Sequence, residues 1–166
     1  IGEEAHKRGV NLETEIGVLG GSEGGLEAKT RYTDPDEAVR FSRECGCDAL
    51  AVAIGNAHGH YKVEPKLQFD VLDAIHRRID VPLVLHGGTG ISDGDFQKAV
   101  AYGVRKINIA TAIFDAMVHG ADLALKSGGR DTTYFSLNEQ AINSVYNVAK
   151  HYIHVFSGAV APKDSQ

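Results

Sequence analysis

Four times along this chain a strand-like run ends in a polar segment ahead of a helix start. The clearest case is Val81-Pro82-Leu83-Val84-Leu85-His86-Gly87-Gly88-Thr89-Gly90-Ile91-Ser92. Nothing in that run is polar before His86, which predicts a strand buried on both faces. Ser92 with Asp95 three residues on forms a capping box, so a helix begins at once. The same order recurs after 10–18, where Gly20 and Gly21 follow, after Ala49-Leu50-Ala51-Val52-Ala53-Ile54, and after Val104-Arg105-Lys106-Ile107-Asn108-Ile109-Ala110. Helices are predicted over 34–46, 66–79, 92–102, 111–126 and 137–155, with a helical turn at 3–8. Asp34-Pro35-Asp36-Glu37 is the strongest start: an N-capping aspartate, proline at the first position and acids in the first turn. Strand–helix alternation of this kind requires parallel strands joined by crossover helices. No G-x-G-x-x-G follows the first strand, so nothing favours a dinucleotide fold. The polar segments all lie after strand ends, as in a (β/α)8 TIM barrel, which needs eight strands and roughly 250 residues. At 166 residues the chain supplies about half of one.

A net charge of −5 without a basic cluster argues against nucleic acid and against an anionic membrane. No apolar run approaches the roughly 20 residues of a membrane span. The only cysteines, Cys45 and Cys47, give no disulfide framework, and a cytoplasmic setting is expected. The single-domain reading covers 1–157, with 158–166 as a tail.

The residues able to do chemistry gather after the strands. His58 and His86 each follow a buried strand; two imidazoles converging there suit zinc, which takes three protein ligands in a catalytic site. The alternative is a pair of core histidines. Glu13 and Glu15 are two apart on one strand and share a face, either binding a cation or forming an interior ion pair. Glu23, in Gly20-Gly21-Ser22-Glu23-Gly24-Gly25, is a candidate base on a loop or else a solvated acid. Gly87-Gly88-Thr89 and Asn108-Ile109-Ala110-Thr111 form two successive turns that could hold a phosphate on backbone amides and a helix start, or could merely close loops. Lys106 is expected early in its strand, which leaves no lysine for Schiff-base chemistry.

Together, Leu12-Glu13-Thr14-Glu15-Ile16-Gly17 with Gly20-Gly21-Ser22-Glu23, Ala53-Ile54-Gly55-Asn56-Ala57-His58-Gly59, Leu85-His86-Gly87-Gly88-Thr89-Gly90 and Asn108-Ile109-Ala110-Thr111 resemble the class II ketose-bisphosphate aldolases, fructose- and tagatose-1,6-bisphosphate aldolases among them. The resemblance implies a zinc-dependent barrel enzyme that cleaves a ketose bisphosphate to dihydroxyacetone phosphate and an aldehyde, glyceraldehyde 3-phosphate for these two substrates. It implies that this chain carries strands five to eight. It assigns His58 and His86 as zinc ligands, Glu15 to a neighbouring cation position and Glu23 to proton exchange on the dihydroxyacetone phosphate carbon. Gly59, Gly87, Gly88, Thr89, Asn108, Ile109, Ala110 and Thr111 fall at the sugar-phosphate site, with Asn108 near the developing enediolate. A monovalent cation, Na+ or K+, is implied near Gly59 and Gly87. The family's first zinc histidine and its adjacent aspartate lie on earlier strands and have no counterpart here. Ala110 stands where some members carry aspartate, and Arg130 is only a loose match for a distal-phosphate arginine. The isolated piece is therefore expected to be inactive and to need an amino-terminal half, with a homodimer or tetramer as the assembly. The other function left open is a non-catalytic half-barrel that binds phosphate or serves assembly.

Overall fold

The computed structural model describes residues 1–21, 31–61 and 64–158. The chain divides into two compact units, one over Ile1–Ile109 and one from Ala110 on.

The first unit alternates strands and helices: α1 (Gly2–Lys7), β1 (Glu13–Ile16), β2 (Gly20–Gly21), α2 (Pro35–Cys45), β3 (Ala49–Val52), β4 (Ala57–His58), α3 (Phe69–His76), β5 (Leu83–Leu85), α4 (Asp93–Ala101) and β6 (Val104–Ile107). The main sheet has the order β1-β3-β5-β6, and every pair in it is parallel. The sequence expectation of an α/β fold on parallel strands thus holds. The short pair β2–β4, also parallel, falls in segments expected to be loop.

Local chemistry explains most helix ends. The Asp34 carboxylate accepts the Asp36 and Glu37 amides at 2.9 and 3.0 Å, and Gly46 closes α2 in the left-handed region. Ser92 caps α4 through the Asp95 amide. α3 is shorter at both ends than the 66–79 expected, and the Gln68 amide just before it donates to the Ile54 carbonyl at 2.7 Å.

The core lies between sheet and helices. Leu50, Ile54, Leu83, Val84, Leu85 and Val104 from the sheet segments are fully or nearly fully buried, as are Leu72, Ile75, Phe96 and Ala99 from α3 and α4. Thr33 is the polar rivet of this layer. Its hydroxyl donates to the Ile16 carbonyl at 2.7 Å and accepts the Ala53 amide at 2.8 Å, joining the ends of two neighbouring strand segments.

One irregularity directs the site. Between Leu83 and Val84 the partner on β6 jumps from Val104 to Lys106, so two residues of β6 oppose one of β5. This bulge turns Lys106 away from the face of Val104 and onto that of Val84.

The second unit is a helical hairpin, α5 (Thr111–Gly128) and α6 (Tyr134–Ser157), joined by a 3-10 turn at Gly129–Asp131. A Cβ on Gly120 would stand 2.6 Å from the Ala141 Cα, so the helices touch through small residues. A Thr133–Ser136 capping box starts α6 three residues earlier than expected. Among the described residues, no helix is long and apolar enough to cross a membrane.

Candidate metal centre

His86 follows β5 directly and lies two residues past Val84, so it shares that residue's face. Across the register that face continues through Ala51 to Glu15, with Glu13 two residues before it. The imidazole sits between the two acids. Its Nδ1 is 3.2 Å from Glu15 Oε2 and its Nε2 is 3.1 Å from Glu13 Oε1. His58 closes β4, with its ring centroid 6.2 Å from that of His86. One ligand atom from each of Glu15, His58 and His86 lies within 4.8 Å of the others.

Two imidazole nitrogens and one carboxylate oxygen are a donor set that zinc accepts, and three protein ligands leave a position open. The surroundings of His86 also favour a cation. A neutral imidazole donates through one nitrogen only, so two carboxylates on one ring call for an extra proton or a metal ion between acceptors. The residues present therefore fit the metal that the sequence suggests, and Glu15 joins both histidines in one group.

The loops bearing these ligands are tied to each other. Asn56 is fully buried; its Oδ1 accepts the Ile54 amide at 2.8 Å and its Nδ2 donates to the His86 carbonyl at 2.9 Å. The Tyr61 hydroxyl accepts the Ala57 amide at 2.8 Å and donates to the Gly87 carbonyl at 2.9 Å. Burial pushes the Tyr61 phenol upward against the opposing effect of the Ala57 amide, which favours retention of the donated proton. Gly87 has φ 63°, and a Cβ there would meet the Ala57 carbonyl oxygen at 2.2 Å, so only glycine fits between the loops. Sequence spacing alone does not reveal that Asn56 and Tyr61 clamp the neighbouring loop.

The expected sugar-phosphate residues fall as follows. Gly59 has φ 82° one residue after His58. Gly88 donates its amide to the Asn108 carbonyl at 3.3 Å and lies against the Ile109 side chain, which sets the two turns side by side. Thr89 follows Gly88 in the same turn. Ala110 and Thr111 open the second unit, as the N-cap and first residue of α5. Glu23 lies outside the described residues.

Lys106 differs from expectation. β6 ends at Ile107, so the lysine stands one residue from the strand's carboxyl end. Its Nζ is 2.9 and 3.2 Å from the two Glu13 oxygens and 2.8 Å from Asn108 Oδ1. Partial burial opposes ionisation of Glu13. Hydrogen bonds and charge from Lys106 and His86 outweigh it and hold the carboxyl below the usual carboxylate range. The expected ground against a Schiff base, a lysine early in its strand, does not hold. Glu13 is ion-paired with Lys106, and Glu15 stands with the two histidines in the candidate metal group.

Parallel strands whose carboxyl ends gather two histidines and a glutamate define an α/β protein with a candidate metal centre. A match to the family described as "Fructose-bisphosphate aldolase class-II" runs over residues 1–160, and the chain belongs to that family. It is 37% identical over 160 residues to a 6-phospho-5-dehydro-2-deoxy-D-gluconate aldolase of Halalkalibacterium halodurans, covering 96% of this chain and 56% of that one. It is 45% identical over 124 residues to the D-tagatose-1,6-bisphosphate aldolase subunit GatY of Klebsiella oxytoca, covering 70% and 44%. The crystal structure of the YdjI aldolase of Escherichia coli K12 superposes with a TM-score of 0.76 at 38% identity, over 93% of this chain and 52% of that one. The chain spans about half the length of these relatives.

Proposed function

We propose that this chain is the carboxyl-terminal half, strands five to eight, of a zinc-dependent aldolase barrel. The reaction is reversible cleavage of a ketose 1,6-bisphosphate to dihydroxyacetone phosphate and glyceraldehyde 3-phosphate. Fructose bisphosphate is the first substrate to test and tagatose bisphosphate the second. The observation that carries the reading is the convergence of Glu15, His58 and His86, whose ligand atoms lie within 4.8 Å of one another.

His58 and His86 would hold the zinc, with the missing histidine supplied by the other half-barrel, and Glu15 would serve a neighbouring cation position. When bound, such an ion acts as a Lewis acid on a carbonyl oxygen. The chain's own residues do the rest. Asn56 and Tyr61 keep the two ligand loops at a fixed separation, so the ligands need no rearrangement to meet. Asn108 offers amide protons to the negative charge that develops on the substrate. Glu23 moves the proton at the dihydroxyacetone phosphate carbon, a role carried by its motif alone. Gly59, Gly87, Gly88, Thr89 and Ile109 hold the phosphorylated end, and the motif extends this set to Ala110 and Thr111. The Gly87 carbonyl keeps a lone pair beyond the one used by Tyr61, available to a sodium or potassium ion. The reading places the protein in the cytoplasm, with Cys45 and Cys47 as free thiols, and as a dimer or tetramer of assembled barrels.

The test is zinc content and cleavage of three compounds: fructose 1,6-bisphosphate, tagatose 1,6-bisphosphate and 6-phospho-5-dehydro-2-deoxy-D-gluconate. Each is measured on this chain alone and after mixing with a chain carrying strands one to four. Cleavage only in the mixture is expected. Full-rate cleavage by the isolated chain would sink the half-barrel reading. A mixture that binds zinc but cleaves nothing would favour a non-catalytic phosphate-binding subunit instead.

A further inference from the structure

The geometry points to Lys106 as a positioning residue, one that fixes which end of the Asn108 amide faces the substrate; this rests on the aldolase reading above. A carboxamide is two-faced, with an acceptor oxygen and a donor nitrogen of nearly equal size. Which one faces a ligand decides whether the contact attracts or repels developing negative charge. An ammonium has three donors and no acceptor, so a partner at 2.8 Å from Lys106 Nζ must be the amide oxygen. With Oδ1 engaged, both protons on Nδ2 are turned from the lysine and left for the substrate.

Lys106 is itself anchored. It spans both oxygens of Glu13, and Glu13 Oε1 in turn meets His86 Nε2 at 3.1 Å. An unbroken line of contacts therefore runs from Asn108 through Lys106, Glu13 and His86 to Glu15. The bulge at Leu83/Val84 is what brings the lysine to this side of the sheet. Glu13 and Lys106 are thus the supports that hold the reacting groups in register, while the groups that touch substrate are others.

The experiment pairs kinetics with spectroscopy. In the assembled barrel at saturating zinc, Lys106→Met should lower kcat about tenfold and move KM less than about threefold, a fraction of the 10²–10³ lost when a transition-state donor is removed outright. Lys106→Arg keeps a donor-only cation and should recover most of the rate. In an Asn108→Ala background, Lys106→Met should cost nothing further, since both changes remove one interaction. On the isolated chain, the Asn108 side-chain amide signals should be shifted and broadened by Lys106→Met and little changed by Lys106→Arg. An equal loss in the Asn108→Ala background, an arginine variant as slow as the methionine one, or amide signals unmoved by Lys106→Met would each overturn the inference. If the assembled wild type cleaves none of the three substrates, the aldolase reading fails, and the amide signals alone decide whether Lys106 orients Asn108.

Discussion

The sheet unit and the helical hairpin treat their apolar side chains in opposite ways. In the first, Leu50, Val52, Leu72, Ile75, Leu83, Val84, Leu85 and Phe96 are buried, and the buried polar residues Asn56 and Thr33 are hydrogen-bonded to backbone partners. In the second, Phe114, Val118, Tyr134, Phe135, Ile142, Tyr146 and Ile153 are all exposed, and the helices meet through Ala116, Gly120, Ala124 and Ala141. The sheet unit therefore carries its own stabilising core, whereas the hairpin's internal contact uses small residues and contributes little apolar burial. The candidate site lies in the unit with the buried core.

The largest effect should come from the site. His86→Ala removes a candidate ligand and the link between two carboxylates, and zinc retention by the chain, read by metal analysis after dialysis, should be lost. Retention at the wild-type level would break the claim that this face holds the metal. Next comes packing. Phe96→Ala in the sheet unit should cost about 3–5 kcal/mol in denaturant unfolding, whereas Phe135→Ala on the hairpin should stay within about 0.5 kcal/mol. Equal costs would erase the contrast between the units. Asn56→Ala strands the Ile54 amide and the His86 carbonyl and should cost about 1–3 kcal/mol, with metal affinity falling about 10–100-fold.

The smallest effect concerns acid. The Leu12 amide, and after it His6, hold the Asp48 carboxyl below the ordinary aspartate value. A depressed folded value means that this contribution is complete above the unfolded value and is lost as pH falls through the folded one. Thermal unfolding followed from about pH 6 to pH 3 should therefore show a slightly shallower acid decline for Asp48→Asn. An unchanged decline would remove Asp48 from the groups that make the sheet unit acid-sensitive.

Much of this was legible wherever the physics is local. A helix start needs only a capping side chain and its own next turn, so Asp34-Pro35 and Ser92 with Asp95 mark their helices correctly. Buried strands need only an uninterrupted apolar run, and β3 and β5 lie inside the runs expected. His86 follows one of those runs directly, whereas His58 closes the separate short strand β4, and the two stand with Glu15 in the candidate metal group. What sequence could not reveal is long-range. Glu13 meets Lys106 across 93 positions, and the Gln68 amide bonds to the Ile54 carbonyl, which no local signal encodes. The early start of α6 is a different miss: Thr133 and Ser136 spell a cap that was there to be read.

The bulge on β6 has a consequence for how such a strand can vary. Alternation along a strand behaves like a reading frame of two, and an extra residue shifts the frame for everything after it. Val104 and Lys106 share parity in the sequence, yet one faces the buried side and the other the ion pair. The chemistry of this strand is thus set by where the backbone skips as much as by which residues it carries. If the ladder slipped to erase the skip, Arg105 would stand opposite Val84 and Lys106 opposite Leu85. The ammonium would then leave the site with no change in composition at all.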